Sequence, residues 1–310
     1  VHVAIVGAGA LGRVYGVRLA VRAKSGVTFV VKGERATDAG SLRIVRVDGD
    51  RAEDTWERPV LSNAIPHQAD VVLVAVRAEQ LDASLDGLVD AGPPVPVVVL
   101  TPMMPSDFVR LSRRHGDRIL SAMPGVVAYI REEGTCRYWL PRVAPTLIDE
   151  SRPESTAILE FVTGLGAAGM SARLELGVHE ANPATTVAFI PLAMAIDAAG
   201  SIDSLLADKT LRDLALRAVR EGLELSRHIG QAAAWAGAFA RFTGPTTLRV
   251  GVAIARNRYP EAFAYVEEHF GRKLHAQNLV MATAMVDLAR AKNTPHDSLD
   301  ELLVRLRKTS

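Results

Sequence analysis

Cysteine is almost absent. Cys136 is the single one in 310 residues, so no intramolecular disulfide can form and no cysteine-based metal site can be assembled; no metal site is expected at all. It lies in a strand-like stretch beside Tyr138 and Trp139 with no base close by, which argues against a nucleophilic thiol. An excess of either charge is also lacking. The formal net charge is +1 and no long run of one sign occurs, which points away from nucleic acid and from an anionic membrane surface, and Arg113-Arg114 reads as a solvated helix end. No apolar run approaches a membrane span and no secretory leader is read ahead of the first strand, so a soluble cytoplasmic protein is expected. Lysine is missing from the whole stretch between Lys32 and Lys209.

What is present is concentrated at the start of the chain. His2-Val3-Ala4-Ile5-Val6 runs into Gly7-Ala8-Gly9-Ala10-Leu11-Gly12 and then into a helical pattern, after which Val27-Thr28-Phe29-Val30-Val31 reads as a second strand. Strand, glycine turn, helix and strand are the order a dinucleotide site requires. Gly7 permits the tight turn, Gly9 lets the backbone approach a pyrophosphate, and Gly12 lets the helix pack closely on the strand. The pyrophosphate is expected on the helix N-terminus, around Ala10 and Leu11, where free N–H groups and the dipole favour negative charge. An acidic residue after the second strand would hold the ribose 2′-hydroxyl of NAD, but the chain reads Lys32-Gly33-Glu34-Arg35 there. Lys32 and Arg35 can pair with a 2′-phosphate, so NADP(H) is the expected cofactor; as plain surface residues they would be two solvated cations.

The length favours two domains. Strands and helices alternate to about residue 175. Leu42 to Val47, Asp48-Gly49-Asp50 and a run to Trp56 read as a β-hairpin; Val71 to Val76 and Val97 to Leu100 read as strands covered on both faces, and Ile119-Leu120 as a shorter one. Val126 to Ile130, Arg137 to Leu140, Thr146 to Ile148 and Met170 to Leu174 are further strand candidates, with a helix from Pro153 to Ala168. Beyond this the period becomes helical, from Leu205 through Ile229 and again from Leu279 through Leu306. The expected fold is an α/β Rossmann-type nucleotide domain over 1–175, followed by an all-α domain over 176–310 for substrate binding and dimerisation. In open sheets of this kind a small-molecule substrate is expected in the crevice beside the carboxyl ends of the strands, and the long apolar helices can support a homodimer.

The order of motifs resembles ketopantoate reductase (2-dehydropantoate 2-reductase) and its relatives with 6-phosphogluconate-dehydrogenase-like helical domains. The resemblance rests on Gly7-x-Gly9-x-x-Gly12, the basic loop at Lys32, Asp70 through Gln80, Glu221 with Gly230, and Gly271-Arg272 with Pro295 before the final helix. It implies an NADPH-dependent reduction of a 2-oxo acid or a related carbonyl or imine. A Lys commonly stands at the position of Arg77 in the family and reaches the cofactor, and Gln80 follows at the family spacing; Arg77 reads either as such a contact or as a strand-end cation on the rim. Where many relatives carry Asn-Gly, this chain has Pro102-Met103, leaving Thr101 as the nearby hydroxyl.

The catalytic half of the family pattern departs. Anchored on Pro191-Leu192, the family's Lys falls on Asn182 and its asparagines on Thr186 and Ile190, and the lysine gap rules out a shifted Lys. His179 is a candidate proton donor suited to neutral pH, or else a structural histidine. Asn182 can donate an amide but not a proton, and before Pro183 it also reads as a helix N-cap. The family's Glu falls on His275 or on Lys273, each a candidate donor or carboxylate partner, or a surface residue at a helix start. True ketopantoate reduction with relocated groups and a non-catalytic NADP(H)-binding sensor or scaffold are the alternatives.

Overall fold

The computed structural model describes residues 1–31, 40–48, 52–88, 92–131, 133–141, 144–151, 155–230, 244–258, 260, 263–264 and 274–309. They form two compact units, Val1–Thr101 with Ser106–His179, and Pro102–Pro105 with Glu180–Ser310. The strands, in chain order, are β1 (His2–Val6), β2 (Gly26–Val30), β3 (Leu42–Arg46), β4 (Glu53–Trp56), β5 (Leu61–Ser62), β6 (Val71–Val74), β7 (Val97–Val99), β8 (Ile119–Met123), β9 (Val127–Ile130), β10 (Cys136–Trp139), β11 (Thr146–Asp149) and β12 (Ala172–Glu175). The helices are α1 (Ala10–Val21), α2 (Leu81–Leu88), α3 (Pro105–His115), α4 (Thr156–Ala167), α5 (Val178–Ala199), α6 (Ile202–Ala207), α7 (Lys209–Ile229), α8 (Pro245–Arg258), α9 (His275–Ala291) and α10 (Asp297–Arg307).

An eight-stranded sheet in the order β12-β11-β8-β7-β6-β1-β2-β5 carries the first unit. Its six strands from β8 to β5 run parallel, and β11 returns antiparallel to β8 with β12 parallel beside it. Every residue of β6 and β7 is buried, which is why these strands read as unbroken apolar runs. The hairpin is as expected, with Leu42 opposite Trp56 and Val45 opposite Glu53; residues 49–51 of its turn lie outside the described ones. It joins β9 and β10 in a second sheet, β4-β3-β10-β9.

Helix α1 packs against β1 and β2 of the large sheet and against β3, β4, β9 and β10 of the small one. A helix covered on two sides must be apolar nearly all round, and α1 buries Val14, Tyr15, Val17 and Leu19 together with Gly12 and Gly16. Its one charged residue in that set, Arg18, is 2% exposed and therefore needs partners. It donates to the Ala168 carbonyl and to the Tyr138 hydroxyl (2.6 Å), with Asp54 at 3.7 Å, while the Arg22 Nε–H donates to both oxygens of that carboxylate at 2.9 and 2.8 Å.

The second unit is helical. The period expected as one stretch from Leu205 to Ile229 is broken at Asp208, whose carboxylate accepts from the Leu211 N–H (2.9 Å) and so starts α7 separately from α6. Helix α10 packs on both α7 and α9. Leu211, Leu214, Val219, Leu225, Met281, Met285, Leu299 and Leu302 are all buried there. Gly222 is required by close approach, because a Cβ would stand 2.6 Å from the carbonyl of Val187, whose helical partner would be the amide that Pro191 lacks. No described helix is long and apolar enough to cross a membrane.

Candidate active site

The glycine turn has the form the sequence predicts. Gly7 adopts φ +107°, and a Cβ on it would stand 2.7 Å from the Ala75 carbonyl. A Cβ on Gly12 would meet the Gly7 carbonyl at 1.9 Å, so this glycine seats α1 against the turn. Gly9 differs, because a Cβ there meets nothing within 4 Å and the residue is exposed at the head of α1. The space is open on the side from which an anion would approach, and the first amides of α1, at Ala10, Leu11 and Gly12, have no earlier turn to bond to. The turn therefore fits the pyrophosphate of a dinucleotide. Arg13, which the motif does not point to, adds a cation; its guanidinium donates to the carbonyls of Ala8 and Gly134, each at 3.1 Å.

The neighbouring strands bring further predicted residues to this edge. Arg77 follows β6, and Thr101 follows β7. The Arg77 side chain is 47% exposed, with Glu79 at 3.8 Å, while the Gln80 side-chain oxygen accepts from the Arg77 amide at 3.5 Å. Thr101 is 2% exposed and its hydroxyl donates to the Val76 carbonyl (2.7 Å), so it ties the two strand ends together and keeps lone pairs for accepting. Asp70 stands at the opposite end of β6, where its carboxylate accepts from the His2 amide at 2.7 Å and its role is to register β6 on β1. Lys32 and Arg35 lie outside the described residues, as does Lys273.

His179 and His275 each meet a buried carboxylate. The Nδ1 of His179 lies 2.6 Å from the Asp149 carboxylate, which also accepts the His179 amide at 3.1 Å, and the ring stacks on Phe108 with centroids 4.8 Å apart and planes 18° from parallel. In the helical unit His275 Nδ1 lies 3.1 Å from Asp197, whose carboxylate also accepts from the Asn278 amide at 2.8 Å. Asp149, Phe108, Asp197 and Asn278 were not visible as site residues in the sequence, since 30 to 81 residues separate the polar ones from their partners.

The reading of Asn182 as an N-cap is corrected. Helix α5 begins at Val178, so Asn182 and Pro183 lie inside it, with Asn182 5% exposed and accepting from the Thr186 hydroxyl at 3.3 Å. Gly177, at φ +73°, turns the chain one helical turn earlier, and Asp149 then satisfies the His179 amide in the place of a local cap. The cysteine reading holds. Cys136 is fully buried and burial pushes its thiol up to about 12, so it stays protonated at neutral pH.

Residues 3–101 match the model of the family described as ketopantoate reductase PanE/ApbA. Solved ketopantoate reductases share the fold of the whole chain. The 2-dehydropantoate 2-reductase from Geobacter metallireducens GS-15 is 17% identical with a TM-score of 0.73, each chain covered completely. A PanE/ApbA family ketopantoate reductase from Ralstonia eutropha JMP134 is 18% identical with a TM-score of 0.72, over 100% of this chain and 98% of that one. D-mandelate dehydrogenase, solved with NADH and anilino(oxo)acetate, is 13% identical with a TM-score of 0.67, over 100% of this chain and 98% of that one. Comparison with curated protein sequences finds no match.

Proposed function

We propose that this chain is an NADPH-dependent oxidoreductase that reduces a 2-oxo acid or a related carbonyl or imine. The observation that carries the reading is the contrast within the glycine turn, closed around Gly7 and Gly12 and open at Gly9, at the head of a helix in the segment that matches the ketopantoate reductase PanE/ApbA model. Gly7, Gly9, Ala10, Leu11 and Gly12 would hold the pyrophosphate, with Arg77, Gln80 and Thr101 along the same edge. Lys32 and Arg35 support the 2′-phosphorylated nucleotide on charge. When bound, the nicotinamide supplies a hydride. The chain must then supply a donor to the oxygen or nitrogen that gains electron density. His179 leads the candidates because it alone combines nearness to the missing family Lys with an imidazole; Asn182, Lys273 and His275 follow.

Fluorescence titration separates the cofactors, and NADPH is expected to bind at least tenfold tighter than NADH, about 1.4 kcal/mol. Equal affinities, or an unchanged preference after Lys32→Glu with Arg35→Ala, would remove the NADP assignment. NADPH oxidation is then followed over a panel of 2-oxo acids and amine–keto acid pairs. Binding with no turnover over the panel would leave a nucleotide-binding protein without reductase activity. Once a substrate is found, alanine at the true donor among His179, Asn182, Lys273 and His275 lowers turnover by about 10²–10⁴-fold while NADPH affinity stays nearly constant.

A further inference from the structure

We infer that Asp149 is a positioning residue that makes His179 the proton-transfer group of this protein, an inference that rests on the oxidoreductase reading above. Asp149 closes β11 and its side chain is 3% exposed. One carboxylate oxygen accepts from both the ring Nδ1–H (2.6 Å) and the backbone N–H (3.1 Å) of His179, and the other accepts from the Ser151 N–H at 3.0 Å. An ionised carboxylate only accepts, so the ring nitrogen facing it carries hydrogen, and Nε2 is left as the nitrogen that exchanges a proton with a substrate. Phe108 fixes the ring plane, and the His179 side chain, 37% exposed, keeps an edge open. Base, orienting carboxylate and locked ring are the arrangement from which a histidine acts as acid and base.

Position in the sheet agrees. Val6 pairs with Val74, Val74 with Val99 and Val99 with Ser121, while Ile148 stands opposite the next residue, Ala122. The end of β11 is therefore level with the end of β1, four strands away on the side opposite β2, about 19 Å along the sheet at the usual ~4.8 Å spacing. That separates the histidine from the glycine turn. Of the nearby carboxylates, Glu175 pairs with Arg173 and Asp107 with Arg110, while Glu150 bonds through its backbone and Glu180 is exposed.

As a substrate carbonyl is reduced, its oxygen takes the proton from Nε2 of the imidazolium. The N–H bond breaks, the O–H bond forms, and His179 is left neutral with Nδ1–H still on Asp149, to be reprotonated from water. A role confined to anchoring α5 would need only the acceptor for the backbone amide, which Asn also provides.

The two roles are separated by ¹⁵N spectra of histidine-labelled protein without ligands, read beside steady-state kinetics. The neutral His179 ring is expected as the Nδ1–H tautomer. In Asp149→Asn the fold remains, the ring becomes a mixture of tautomers, and turnover falls about 10²–10⁴-fold with KM little changed. A wild-type ring in the Nε2–H form, or an unchanged tautomer in Asp149→Asn, overturns the pairing whatever the activity. A changed tautomer with unchanged turnover overturns the proton-transfer role. If the wild type has a fixed Nδ1–H ring but reduces nothing, the oxidoreductase reading fails and Asp149 is a helix anchor. Should Asp149→Asn not fold, His179→Gln keeps a donor to Asp149 but carries no exchangeable acid, and normal turnover in it refutes the proposal.

Discussion

Two glycines three positions apart make the turn testable residue by residue. Gly9→Val adds atoms only to open space, so its stability is expected within about 0.5 kcal/mol of wild type while NADPH binding is lost. Gly12→Val forces the Gly7 carbonyl and α1 apart and is expected to unfold the protein or leave it insoluble, as circular dichroism and expression would show. Normal NADPH binding by Gly9→Val would mean that the phosphates do not lie on this turn. Cys136 makes a prediction in pH. Burial raises its thiol from 9.0 to about 12, so the fold prefers the protonated form. The associated stability is complete below pH 9 and lost as pH rises toward 12, since the unfolded chain releases the proton first. Alkaline denaturation in that window should shift upward in Cys136→Ala if the cavity it leaves is small, and a thiol reagent should label the wild type only when unfolded.

Among the elements, helix ends in this protein are satisfied by side chains far away in the chain. Asp149 serves α5, and Glu221 serves α10 by accepting from the amides of Ser298 and Leu299 at 3.0 and 2.9 Å. This accounts for Glu221 of the family-like pattern as a structural residue, with no role in chemistry required. Glu221→Ala is expected to cost about 1–2 kcal/mol in urea unfolding, as for a lost N-cap, and Glu221→Gln clearly less because one acceptor remains. Equal losses in the two variants would show that packing, and not the accepted amides, is what Glu221 contributes. Helix α1 shows the converse case of a buried charge. Its Arg18 is tolerated because two acceptors and a carboxylate surround it, and Gly169 leaves room, a Cβ there standing 2.6 Å from the guanidinium.

For the whole molecule, two compact units allow two unfolding transitions. A nucleotide bound to the turn of the first unit stabilises that unit by about 2.7 kcal/mol at a concentration one hundred times its dissociation constant. Calorimetry with NADPH is therefore expected to raise the transition that carries the eight-stranded sheet, and Gly9→Val should abolish the shift. A shift that survives in Gly9→Val would place the nucleotide elsewhere.

The strand, glycine turn and helix at the start of the chain were legible in the sequence because their determinants are local: apolar residues in the first strand, three glycines at fixed spacing, and a helix that follows at once. The apolar runs of β6 and β7 and the pairing of the hairpin strands were legible for the same reason, as was the change to a helical period after residue 175. The start of α5 was not. Asn-Pro is a good local cap, and it was overruled by Gly177 and by a carboxylate 30 residues away. Composition and motif determined the fold class and the glycine turn at the head of α1. Only tertiary structure decided that His179 and His275 each rest on a buried aspartate, that the Thr101 hydroxyl donates its hydrogen to Val76, and that Glu221 caps the last helix. Such pairings come from the packing of strands and helices remote in the chain, which no short-range pattern records.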